Sequence, residues 1–122
     1  MEEIQRKLAS YFDEQIAACK QRSEALAADD RKDEGNIEKV RANIYEVFKT
    51  VFSVAERVCG TDDMAKKEFF LQKAEQIPES WKTAYENAKQ HGDAEKMLIE
   101  STKLDTIQEI KNTFLQVWEE AV

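Results

Sequence analysis

Histidine is almost missing from this chain: its 122 residues include one, His91. Metal sites in helical bundles use inward-facing pairs such as Glu-x-x-His, and no glutamate stands three residues before His91. A serine nucleophile would depend on the same lone imidazole, and no serine sits in a G-x-S-x-G turn. His91 reads instead as a polar residue closing a helix. No metal, cofactor or catalytic residue is expected.

Glycine and proline are nearly as scarce, at three and one. Isolated glycines cannot build a phosphate-cradling loop, and so few turn residues leave room for only a few long elements. The two cysteines, Cys19 and Cys59, both fall on apolar helical stripes. A reactive thiolate wants a nearby base or a helix N-terminus, whereas Cys19 is mid-helix and Cys59 is at a helix C-terminal end. Both are expected to be reduced, packed thiols.

Basic clusters are also lacking. Lys and Arg occur at most in pairs, Arg6-Lys7, Arg31-Lys32 and Lys66-Lys67, each close to acids, and the net charge is −7. Nucleic-acid affinity comes from clustered cations, so no nucleic-acid partner is expected. There is no run of 18 apolar residues, and the N-terminal MEEIQRKLASYF lacks a basic segment followed by an apolar one. These features predict a cytoplasmic protein with no membrane partner. The 25 acidic residues are spread through loops, termini and helix backs, as solvated faces require. The run DDRKDEGN has basic residues where a calcium loop needs acids.

What remains is helical periodicity in a chain that is 42% apolar and 35% charged. Ile4, Leu8, Tyr11, Phe12, Ile16, Cys19 and Leu26 recur at spacings of three, four and seven, predicting one amphipathic helix over 2–28. Gln15 and Arg22 lie near the middle of its stripe, so its C-terminal half is less buried or meets a polar partner. The run 29–36 reads as a loop, and a second helix is predicted over 34–59, closed by Gly60. Its apolar positions, from Ile37 through Val47, Phe48, Phe52 and Val54 to Cys59, cover nearly half its circumference. That is too wide for one neighbour.

Thr61-Asp62-Asp63 supplies N-cap oxygens for a third helix over 61–90. Its stripe keeps phase across Pro78, predicting a kink or two nearly collinear pieces, with Ile77 pushed toward extended backbone by the proline after it. Gly92-Asp93 separates this from a last helix over 93–121, whose weak point is 101–106, where Asp105 could start a second piece. No internal repeat accompanies the Trp81-to-Tyr85 segment.

Together these readings predict an all-α fold: one domain over 1–122, an antiparallel bundle of four main helices, the third interrupted at Pro78. The second and last helices should face each other across the centre. The expected function is a non-catalytic protein–protein interaction module, pairing with itself as a homodimer or with another protein's helix. Val47, Val54, Ile110 and Val117 are its candidate interface residues. The alternative is a small-molecule binder or enzyme whose pocket is lined by Trp81, Tyr85 and Trp118.

Overall fold

A computed structural model describes residues 2–121. Five α-helices follow one another: α1 (Glu2–Ala28), α2 (Lys32–Cys59), α3 (Asp63–Gln76), α4 (Glu79–Gln90) and α5 (Ala94–Glu120). Among the described residues there is no strand. α3 and α4 are the two halves of the interrupted third helix, so the fold is the all-α bundle that the periodicity implies. No helix is long and apolar enough to cross a membrane.

Short connections reverse the chain after α1, α2 and α4, while α3 and α4 run the same way, so α2 runs parallel to α5. α1 and α2 share the largest interface; α2 also packs on α3 and α5, and α4 packs on α5. The core is strongly aromatic. Phe70 of α3 stacks on Phe114 of α5 with ring centroids 4.1 Å apart and planes 13° apart. Phe52 of α2 meets both rings edge-on, and Phe48 does the same to Phe70.

The helix ends follow from local chemistry. Asp62 and Asp93 accept hydrogen bonds from the backbone N–H groups of Ala65 and Lys96 at 3.0 and 3.1 Å, the N-cap bonds expected of aspartate. Gly60 ends α2 at a φ of 59°, which L-residues adopt only with strain. The expected loop over 29–36 is shorter than read: α2 begins at Lys32 and takes in Gly35. Asp33 and Glu34 suit the positive end of a helix. Gly35 is buried where a Cβ would stand 3.0 Å from the Ser23 carbonyl oxygen, so it is a close-packing residue between α1 and α2 rather than a turn glycine.

At the interruption, Ile77 is not extended. It keeps helical angles, φ −60° and ψ −43°, because its N–H still donates to the Lys73 carbonyl at 2.9 Å and its side chain packs against the core. The break arises one residue later, where Pro78 has no N–H to give the Ala74 carbonyl. α5 shows no restart at Asp105. It is continuous, and the hydroxyls of Thr102 and Thr106 donate to the Leu98 and Thr102 carbonyls, each at 2.7 Å.

The polar partner required by Arg22 is Glu38 of α2. The Arg22 Nε donates to its carboxylate at 3.1 Å, and Nη2 donates to Cys19 Sγ at 3.4 Å. On the other side of α1, Tyr11 lies edge-on to Tyr45, whose hydroxyl donates to Glu109 of α5 at 2.8 Å. Burial pushes both phenols above their ordinary range.

Two outcomes are expected. Phe70→Ala, which opens a cavity where three helices meet, should lower the unfolding free energy by about 3–5 kcal/mol in urea titrations. Because Tyr11 and Tyr45 stay protonated in the fold while the unfolded chain's tyrosines ionise near pH 10, the folded state holds more protons above that pH. Stability should therefore fall as pH rises past about 10, by up to about 1.4 kcal/mol per unit for each tyrosine. Tyr45→Phe should reduce this slope in denaturation curves taken across that range.

Candidate interaction surface

α2 carries two seams. One is aromatic and faces inward: Tyr45, Phe48, Phe52 and Ala55, spaced three, four and three, are all buried. The other runs along its outer side. Asn36, Val40, Asn43, Val47, Thr50 and Val54 alternate at four and three, the spacing that keeps residues on one helix face. In this seam the valines are half-buried and the polar residues exposed. It continues to Val58, which is 64% exposed.

None of these seven side chains carries a charge, although the same spacing leads from Val54 to the exposed Arg57, and Thr50 borders the charged groove between α1 and α2. A matching strip lies on α3, where Ala65, Phe69, Gln72 and Gln76 repeat at four, three and four. Glu75 pairs with Lys111 of α5, which marks the opposite side of α3 as the one facing α5. The strip is therefore on the side toward α2, and the Lys73 ammonium lies over its Phe69 ring, 5.6 Å from the centroid. In a chain that is 35% charged, about four of these eleven positions would ordinarily be charged. Depletion of charge is what distinguishes interface cores from the rest of a surface.

At its upper end the seam runs into a cleft of 520 Å³ between the first turns of α2 and α5, lined by Asp33, Ile37, Val40, Glu95, Leu98 and Ile99 among others. Leu98 is 53% exposed. The cleft lies beside the α4–α5 pairing, and α4 meets α2 where Trp81 stands edge-on to Phe48. The other large groove, between α1 and α2, is bridged by ion pairs from Lys49 to Asp13 and from Lys20 to Glu46, which at an exposed surface contribute little.

The residues singled out by sequence are distributed unevenly. Val47 and Val54 lie together on the outer seam, both half-buried, and Val47 packs against the core. Ile110 is fully buried in the core, so it has no surface to offer a partner, and Val117 packs against the core from α5. Trp81 and Tyr85 are one turn apart on α4, with Lys103 Nζ 5.9 Å from the Trp81 ring centroid. Trp118 lies against Phe114, fifteen residues along α5 from Lys103 and so roughly 22 Å away. The three aromatics do not converge on one pocket.

The described residues contain no group of three or more His, Cys, Asp or Glu placed to hold a metal ion. Cys19 and Cys59 are free thiols, and burial raises the Cys19 pKa, the nearby Arg22 offsetting part of the shift. His91 donates its ring N–H to the Asn87 carbonyl at 2.7 Å and caps α4. What the outer surface offers is amides, a hydroxyl and methyl groups, which suit packing and hydrogen bonding.

No protein-family model, curated protein or solved structure matches this chain.

The two kinds of position should respond differently to charge. Ile110→Asp places an unpaired carboxylate in the core and should abolish the cooperative thermal transition. Asn43→Lys, on the exposed seam, should leave the unfolding free energy within about 0.5 kcal/mol.

Proposed function

We propose that this protein is a non-catalytic helical interaction module that pairs through the outer face of α2 and the adjoining strip of α3. The observation that carries this reading is the seam on α2: six turns of heptad-like spacing in which valines alternate with amides and a hydroxyl, in a highly charged chain. An inward aromatic seam supplies much of the bundle's own packing and Val47 adds to it, so the surface left over is the exposed flank of the seam that ends at Val58. Surplus apolar surface in contiguous strips is characteristic of surfaces that meet a partner.

A pocket for a small apolar ligand is the second reading. The cleft between α2 and α5 favours it, since Ile37, Val40, Leu98 and Ile99 form an apolar wall with Asp33 and Glu95 at hand. Its open side and its continuity with the α2 seam through Val40 fit the end of a helix-pairing groove better than an enclosed site.

Val54→Asp tests the first reading. The variant should keep its far-UV circular dichroism and a cooperative melt while losing association measured by light scattering. A variant that no longer folds would place Val54 in the internal core and end this assignment of the face.

A further inference from the structure

Resting on the interaction-module reading, we infer that the cleft between α2 and α5 takes a basic amphipathic helix of another protein, with aliphatic side chains in the cleft and Lys or Arg at its rim. Three features lead there. The first is charge. Asp33 stands on one wall and Glu95 on the other, and neither carboxylate has an ion-pair or hydrogen-bond partner among the described residues. No lysine or arginine among those residues lines the cleft. The groove between α1 and α2 differs, because Lys49 and Lys20 already meet its acids Asp13 and Glu46.

This end of the bundle is acidic as a whole. Residues 29–34 carry four acids against two bases and residues 93–96 two against one, a net −3. The N-termini of α2 and α5 bring about +0.5 each, which leaves the rim negative. A cationic partner is attracted there, and a second copy carrying −7 is repelled.

The second feature is the apolar wall. Ile37 and Val40 are one turn apart on α2 and face Leu98 and Ile99 of α5 across 520 Å³, a volume within the roughly 300–1,000 Å³ of binding clefts. Leu98 is 53% exposed. Beyond their first turns the two walls bond their own backbone groups, so an extended peptide finds no main-chain partners along them. A helix satisfies its own main chain and offers apolar anchors at spacings of three and four.

The third is Glu100. A shallower groove shares Glu95 and Ile99 with the cleft and is also lined by Asp93, Lys96 and Glu100. Glu100 is 6% exposed. One of its carboxylate oxygens accepts from Lys103 at 3.1 Å, and the other is buried without a hydrogen-bond partner. A buried acceptor left unpaired is costly, and an arginine or lysine entering from the rim supplies the donor.

The test is fluorescence anisotropy of two labelled amphipathic peptides of about 18 residues, titrated with the full chain. Both carry leucines at helical spacing, flanked in one by Lys and Arg and in the other by Glu. The basic peptide should bind saturably, more weakly as NaCl rises from about 0.05 M to about 0.5 M, and the acidic peptide should bind at least about tenfold more weakly. Asp33→Asn combined with Glu95→Gln should weaken the basic peptide about tenfold and flatten its salt dependence. Leu98→Lys, which sets a cation in the cleft, should abolish its binding. Glu14→Gln combined with Glu24→Gln removes the same charge from exposed positions on α1 and should leave it unchanged. All these variants should keep the parent's thermal midpoint.

Equal binding of the two peptides, or an equal loss in the α1 variant, would overturn the cationic partner. Failure of both peptides to bind would overturn the helix as occupant, and saturable binding of octylamine in that case would assign the cleft to a small organic cation. A mass above 14.1 kDa that returns to the monomer value in Leu98→Lys would assign it to a second copy and overturn the inference as well. The module reading is judged separately, by the folding and association of Val54→Asp.

Discussion

The stacked rings of Phe70 and Phe114 fix the relation of α3 to α5, and much of the bundle is arranged around that contact. Phe52 and Phe48 of α2 reach the stack edge-on, and Trp118 extends it along α5. Edge-to-face and offset-stacked rings give directional contacts beyond their area, so this cluster sets the rotation of α2 about its own axis. With Phe48 and Phe52 turned inward, the residues just outside them in phase, Val47 and Val54, sit at the margin. The outer seam is thus a geometric consequence of the inner one.

Away from the aromatic cluster the interior becomes more polar. Arg22 and Glu38 meet between α1 and α2. On α5, Lys103 pairs with Glu100 at 3.1 Å, and the Glu100 side chain is almost entirely buried. The interruption at Pro78 lies between these two regimes. Below it α3 packs on α2; above it α4 packs on α5. The break therefore shifts the third arm of the bundle from mainly α2 toward mainly α5, although Phe70 still stacks on Phe114 and Trp81 still meets Phe48.

The helices were legible because their signals are local. Aspartates at two N-caps, a glycine at the end of α2 and uninterrupted apolar periodicity each act within a few residues. Errors came where tertiary contact outweighs local preference. Gly35 reads as a turn residue in sequence, but the approach of Ser23 makes it a packing glycine. Ile77 keeps helical angles because it is held against the core.

The surface was partly legible. Val47 and Val54 stand out as the edge of a stripe too wide for one neighbour, whereas no periodicity could tell Ile110, at the centre of the last helix's stripe, from a residue at its edge. The uncharged polar half of the seam was open to view but is invisible to a search for apolar spacing alone. The cleft depends on how the helices pack, which no local pattern encodes.

The composition of the outer seam has a cost in helix propensity. Exposed mid-helix positions are where Glu, Lys, Gln or Ala stabilise a helix at no expense to the core, and this chain uses those residues freely on its other exposed faces. On α2 it places Asn43 and Thr50 instead, with Ser53 one helical turn from Thr50's side. Asparagine, threonine and serine are weaker helix formers by a few tenths of a kcal/mol each, because their side chains compete for nearby backbone groups or lose rotamer freedom. Thr50 and Ser53 do bond back to the carbonyls of Glu46 and Lys49. A local preference set aside at several neighbouring positions points to a constraint from outside the helix. Thr50 and Ser53 line the groove between α1 and α2 and Val47 packs against the core, so the neighbouring helices are one source of that constraint.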